Sequence, residues 1–524
     1  LFKSPYLNDL LTRAVVEEWI RDKAMGSNFE IQIQVTDPEL RALLEPLAVP
    51  RAPTKRMPRL WSAFSRISTR ALALLFFLRA VAWLVAVGPQ ITKKPRHEIL
   101  DRQSEVADVI VVDYFFNPRL ESERYVSQYW GGLLSSQVFH GKSVQEVLIF
   151  APSETARSPR KARKILRRFG SSKQFLHEDL SARDILETLK LLGSLTLSFM
   201  REPAPLPHEF IESVSKQLYR DFLQSFVGPL AARHLLDRAA WEGIFSSRHI
   251  ASNGTILFLA EGQGWETVML RTLAGTGWKA CAYYHSSVKA WDLRGYSGVS
   301  SPAHSPLLSS TPKPYLRLAN SKRDQALLRE RDYGSRVEVV EALRFSRYPE
   351  ISRQPLRSSE KKAGPLRILG VAGYSLKRSQ HLANLLSEAE KLSTQVLRCS
   401  FLPHPALAGK KFKGRQVPRV DGTPLATLLE EFDVVVVDSE TTAGIDALLA
   451  GKPVVILASL GELITSPIAE VDRVNTCYTA ARLVEEVESF LEHPVAPALP
   501  DDLRPSLSEE GDYDLWAASL GRDL

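Results

Sequence analysis

Two rhythms of apolar residues run through this chain, and they are cleanest in its second half. "LRILGVA", "TQVLRCSFL", "DVVVVD" and "PVVIL" are short apolar runs of the kind that become strands covered on both faces. Each precedes a segment with helical period: "KRSQHLANLLSEAEKL", "TPLATLLEEF", "AGIDALLAG" and "AARLVEEVESFLEH". Regular strand–helix alternation predicts a doubly wound, parallel α/β domain over residues 366–505. The first 345 residues are less regular. "YLNDLLTRAVVEEWIRDK" has helical period, "FEIQIQV" and "ADVIVVDYF" read as strands, and residues 180–250 are mostly helical. "GTILFLAEGQGWETVMLRTLAGTGWKACAYYHSS" then reads as strand, helix and strand, a βαβ unit. Between the halves, residues 346–365 carry Pro, Ser and charge without period, which predicts a linker.

One apolar run fits neither rhythm. "ALALLFFLRAVAWLVAVG", Ala71 to Gly88, approaches the length of a membrane span, but Arg79 sits at its centre. Strand-like segments on both sides argue that it does not cross, since one crossing would separate two parts of a folded domain. The flanks change the picture: residues 46–96 hold ten basic residues and no acidic one. The segment is expected either to lie on an anionic membrane surface or to be a buried core helix. A second basic run, "RSPRKARKILRR", favours the membrane. The whole chain of 524 residues is only mildly basic, at +7, and nothing in it points to nucleic acid. Its three cysteines show no metal or disulfide spacing, which suits a reducing cytoplasm. Residue 1 is leucine, so the natural start is expected upstream.

Ligands of open α/β sheets bind beyond the carboxyl ends of the strands, so polar groups there are the candidates. In the second half these are the glycine turn "GVAGYSLKR" with Gly373, the loop "FLPHPA" with His404 and Pro405, and the turn Ser439-Glu440-Thr441-Thr442. Hydroxyls at a helix start either cap the helix or leave its N–H groups to an anion. A lone loop histidine is either a surface residue or a ligand contact. In the first half, Glu261 follows a strand in "LFLAEGQG", Glu266 lies one helical turn on, and His285 ends the next strand. Glu261 is either a general base or a cap or salt-bridge partner. For Glu266 and Asp292 a structural role is expected.

These residues carry a resemblance. "DSETTAGIDALLAGKPVVI" is similar to the serine-rich turn, helix and A-x-x-x-G-K-P-V-I ending of GT-B glycosyltransferases, and "LPHP" resembles the His-Pro motif of sialyl- and Kdo-type transferases that use CMP-activated sugars. The likeness implies donor contacts from His404, Pro405, Ser439, Thr441 and Thr442. Asp446 departs from the pattern, standing where many such enzymes have a ribose-binding Glu. "AEGQGWETVMLRTL", "YYHSSVKAWDLRGY", "VEVVEALRFSRY" and "GDYDLWAASLG" resemble a bacterial surface-carbohydrate biosynthesis family over roughly residues 250–520. Tyr284 and Phe345 replace that family's usual Gln and Tyr.

The resemblance implies two Rossmann-like domains facing a cleft, with a largely helical insertion in the first and residues 506–524 crossing back to it. It also implies sugar transfer from a nucleotide-sugar donor to a glycan or lipid-linked acceptor in surface polysaccharide synthesis. Transfer with inversion needs a base for the acceptor hydroxyl and donors for the leaving phosphate. Glu261 and His285 are the expected catalytic groups. Gly373, His404, Pro405, Ser439, Glu440, Thr441 and Thr442 are the expected donor site, with no metal and no cofactor. The alternatives are a sugar-nucleotide epimerase and a non-catalytic binding protein. The expected location is the cytoplasm, peripheral on the inner face of the membrane.

Overall fold

The computed structural model describes residues 59–91 and most of 106–521, the longest gaps within the second range being 202–221, 290–311 and 346–363. The helix and strand expected within residues 1–58, the Trp-Asp-Leu-Arg segment with Asp292, and nearly all of the expected linker therefore lie outside the described residues.

Seven strands form the first sheet: β1 (Ala107–Phe115), β4 (Val144–Phe150), β5 (Lys173–Phe175), β6 (Ile250–Leu259), β7 (Gly277–Tyr283), β8 (Leu316–Ala319) and β9 (Arg336–Val339). A separate hairpin, β2 (Arg119–Glu121) and β3 (Arg124–Val126), stands beside it. The sheet order is β5-β4-β1-β6-β7-β8-β9, and every pairing is parallel. The order reverses direction between β1 and β6, and such a switch point opens a crevice beyond the strand ends.

Helices cover the sheet: α1 (Arg59–Ile91), α2 (Pro159–Leu166), α3 (Ala182–Arg201), α4 (Pro229–Phe245), α5 (Gly264–Leu273) and α6 (Lys322–Arg331). Their starts are written locally. Ser158 accepts the Lys161 N–H at 3.3 Å ahead of Pro159, and Gln263 and Glu266 form a capping box at α5. One core cluster joins α1, α3, α4 and α5 to Ile110, Val112, Ile256 and Phe258 of the sheet.

The apolar run expected to be either membrane-facing or buried is part of α1, and it divides. Ala73, Phe76, Ala80 and Leu84 are buried, each three or four positions from the next, against α3, α4 and the residues around Phe222. Leu74, Leu75, Leu78 and Val85 are exposed on the opposite side.

The second sheet has strands β10 (Leu366–Val371), β11 (Leu397–Leu402), β12 (Val434–Asp438), β13 (Val454–Leu457) and β14 (Asn475–Cys477) in the parallel order β11-β10-β12-β13-β14. Its switch point lies between β10 and β12. Helices α7 (Leu376–Leu392), α8 (Leu425–Glu431), α9 (Ala443–Leu449) and α10 (Ala480–Glu492) cover its two faces with separate core clusters. After α10 the chain returns to the first domain. Ser506 N–H donates to Asn320 at 2.8 Å, and α11 (Asp514–Leu520) seats Trp516 against Trp130 and Tyr283. Glu341 fixes the start of α11 by accepting the N–H groups of Leu515 and Trp516. The architecture is GT-B-like: two Rossmann-like domains, a helical addition to the first, and a tail shared between them.

Candidate active site

At the first switch point, β6 ends and the chain turns sharply through Gly262, whose φ of 65° suits glycine. The turn aims the N–H groups of Glu261, Gly262 and Gln263 at the Glu266 carboxylate, at 3.0, 3.1 and 2.9 Å. Glu266 is buried, and burial pushes its carboxyl up to about 8 against the pull of those donors. Glu266 thus holds the loop, the structural role its position suggested. Gly264 belongs to the same construction, since a Cβ there would lie 2.2 Å from the His234 ring.

With the loop held by Glu266, Glu261 is left to face outward. Its Oε1 lies 3.2 Å from His285 Nε2, and its side chain keeps 25 % of its exposure. Tyr129 stands edge-on to His285 with ring centres 5.0 Å apart. The strand ends of β6 and β7 therefore bring the two expected catalytic residues together as a pair, walled by an aromatic ring.

At the second switch point the turn after β10 crosses the turn after β12. The Gly373 N–H donates to Asp438 at 3.4 Å, and a Cβ on Gly373 would lie 2.9 Å from Glu440 Cγ. Glu440 pairs with Arg378, whose guanidinium comes from the first turn of α7. Asp438 is buried and accepts the Glu440 N–H at 3.2 Å; burial, then the charge of Glu440, push its carboxyl up to about 6.

The hydroxyls of this turn are largely committed to its shape. Ser439 is buried; its hydroxyl donates to Asp438 at 3.4 Å, and its carbonyl accepts the N–H groups of Thr465 and Ser466 at 2.9 and 2.8 Å. Thr441 Oγ1 accepts the Ala443 N–H at 3.3 Å. Thr442 Oγ1 accepts from Arg344 at 3.1 Å, and the same guanidinium reaches Asp446 at 2.7 Å. Asp446, at the ribose-binding position of the resemblance, is therefore occupied by a guanidinium from the end of the first domain.

His404 follows β11, set by Pro405 and a 3-10 turn, Pro405–Leu407. Its Nδ1 accepts the Ala406 N–H at 3.1 Å, so a neutral ring carries its proton on Nε2. Tyr374 lies edge-on with ring centres 5.5 Å apart. Burial pushes the imidazole down to about 4, so the ring is neutral at physiological pH. Four charges act on it: Glu440 and Glu261 raise its pKa, and Arg344 and Lys289 lower it. Glu261 and Lys289 belong to the first domain and Glu440 to the second, so the two strand-end sites form one electrostatic neighbourhood.

Sequence reading passed over Arg344, Lys289, Arg378 and Tyr129 as site residues. Arg344 was in view, inside "EALRF", but its partners are 98 and 102 positions away and no local period announces them. Among the described residues, no cluster of three or more His, Cys, Asp or Glu could hold a metal ion.

No family model and no curated protein matches the chain. Solved structures do. One is the UDP-GlcNAc 2-epimerase of Methanocaldococcus jannaschii in complex with UDP-GlcNAc and UDP, 9 % identical, with 79 % of this chain and 98 % of that one covered at a TM-score of 0.41. Another is the calicheamicin glycosyltransferase, 12 % identical, with 73 % and 89 % covered at 0.40. A third is the trehalose 6-phosphate synthase of Burkholderia multivorans, 10 % identical, with 74 % and 91 % covered at 0.40.

Proposed function

We propose that this protein is a glycosyltransferase of bacterial surface polysaccharide synthesis, moving a sugar from a nucleotide-activated donor to a glycan or lipid-linked acceptor at the cytoplasmic side of the membrane. The observation that carries the reading is the pairing of two switch points. Glu261 with His285 ends strands of one sheet, His404 ends a strand of the other, and Arg344 from the end of the first domain reaches Thr442 and Asp446 at the second site. The donor lies on the second domain. His404 donates its Nε2–H to the leaving phosphate as a neutral group, Gly373 permits close backbone approach, and Thr441 and Thr442 with Glu440, Ser439 and Pro405 shape the wall. Arg344 and Lys289 supply positive charge as the phosphate leaves. Across the cleft, Glu261 takes the acceptor hydroxyl proton while His285 holds its carboxylate in place. The reaction breaks the anomeric carbon–phosphate oxygen bond and forms the new glycosidic bond on the opposite face. The "LPHP" loop makes CMP-linked sugars the first donors to test.

Epimerisation of a sugar nucleotide is the second reading. The observation in its favour is the pair of carboxyls, Asp438 and Glu440, on the donor side of the cleft, where acid–base chemistry could act on the donor sugar itself. One experiment separates the readings. The full chain is incubated with a panel of nucleotide sugars, with and without a lipid-linked glycan. Free nucleotide that appears only with acceptor supports transfer. An altered sugar nucleotide formed without acceptor supports epimerisation, and no turnover of any donor would sink both.

A further inference from the structure

The outward face of α1 has no task in the chemistry above. Between Arg70 and Gln90 this helix has a mean hydropathy of 2.2, yet only 28 % of its most apolar window is buried. The exposed positions fall on one side: Leu74, Leu75, Leu78, Ala82 and Val85, with exposures of 43–66 % for the four larger side chains. The buried positions Ala73, Phe76, Ala80 and Leu84 fall on the other. A helix that only filled the core would be polar outside. A helix that crossed a bilayer could not also pack along α3 and α4 inside a soluble sheet domain, as this one does.

The antiparallel neighbour α3 continues the surface. Gly88 of α1 lies beside Ile185, and Ala73 shares a cluster with Phe199, so the two helices run side by side in opposite directions. Outward on α3 are Leu186 and Leu197, 52 % and 58 % exposed. The charges beside this strip are predominantly positive: Glu187 on α3 is exposed but paired with Lys190 at 2.8 Å, Glu178 and Asp179 lie near Arg163, and the cations outnumber them. At its end, α2 packs on α1, and Arg163 donates to the Gln90 carbonyl at 2.8 Å. Arg160, Lys161, Lys164, Arg167 and Arg168 are exposed there, and Arg70 is exposed at the other end. Arg79 is exposed midway along α1 on a stem long enough to reach past the leucines to a headgroup phosphate.

We infer that the outward faces of α1 and α3, with the cationic helix α2, form a docking surface for an anionic phospholipid bilayer. The leucines enter the headgroup–acyl boundary and the guanidinium and ammonium groups meet lipid phosphates. Charge complementarity favours this occupant over a second copy, since two such faces would place their cations together. The inference concerns where the enzyme sits and stands whether the reaction is transfer or epimerisation.

The test is flotation of the full chain with vesicles of phosphatidylcholine, alone or with phosphatidylglycerol added. The expected result is binding to the anionic vesicles only, weakened by salt. L75E/L78E should weaken binding roughly tenfold or more, because both side chains leave water on docking and neither supports the core. R160E/K164E should weaken it by about fivefold or more per residue. Both variants should keep the parent's thermal midpoint and donor binding, which separates lost docking from lost fold and from failure of the functional reading. Equal binding to neutral vesicles, no binding to either, or unchanged binding by folded variants would overturn the proposal. So would a dimer in solution that L75E/L78E dissociates.

Discussion

The two switch-point turns use similar residues to opposite ends. After β6, one carboxylate, Glu266, gathers three backbone N–H groups, and its neighbour Glu261 is left facing the cleft beside His285. After β12, nearly every polar group is engaged: Asp438 with Gly373 and Glu440, Glu440 with Arg378, Thr441 with Ala443, and Thr442 with Arg344. The difference lies in how each turn satisfies its own backbone. A single glutamate settles the first turn, and Glu261 beside it pairs with His285. The second spends its side chains on its own shape and packs Gly373 against them, so in the proposed reaction donor recognition falls to His404 beside it.

The contrast can be broken most directly at Glu261. Glu261→Gln should lower turnover by roughly 100–10,000-fold with donor affinity nearly intact. Wild-type turnover in that variant would move the base to His285. His404→Ala should weaken donor binding by roughly 10–100-fold in titration calorimetry, and because the ring is already neutral above about 4, the parent's affinity should stay flat from there through neutral pH as far as this group is concerned. Unchanged affinity in His404→Ala would leave the second turn without a donor contact.

Arg344→Met keeps the stem and removes the bridge to Thr442 and Asp446. It should lower stability to denaturant by about 1–3 kcal/mol, since Asp446 is buried and would lose its cation. A variant as stable as the parent would show that the bridge is incidental. The smallest effect is in pH. Burial raises Glu266 to about 8 and Asp438 to about 6, so the folded state binds protons more tightly than the unfolded chain. Their contribution is fully present below the unfolded carboxyl range and is lost as pH rises through the folded values. The thermal midpoint should therefore fall between pH 5 and 8.5, and Glu266→Gln should flatten the upper part of that slope. A slope left unaltered by the substitution would refute the assignment.

Much of this was legible in the chain. The valine run of β12 and the alternation after residue 366 name a parallel sheet because buried strands need continuous apolar runs. Strand ends then nominate the candidates by topology alone, Glu261 and His285 in the first sheet and His404 in the second. Two things were not legible, for physical reasons. A helix with one face in the core and an apolar face outside is apolar all round, so the period of α1 could not say which side was covered. The division of labour within each turn also escapes a local reading. It depends on which N–H groups the fold leaves unpaired and on Arg344, which arrives about a hundred residues from its partners.

The seat of Trp516 has a consequence for how the molecule comes into being. Trp130 and Tyr283, deep in the first domain, are closed over by a side chain made only after the strands and helices of the second domain. At about 5–20 residues per second, the stretch from residue 345 to 516 takes roughly 9–35 s to emerge. The later domain is made within that interval and its last helix, α10, is complete at Glu492, while the earlier one still waits with an aromatic socket open to water. The order of completion on the ribosome is thus reversed relative to the order of translation, and the nascent first domain is the one a chaperone would need to guard.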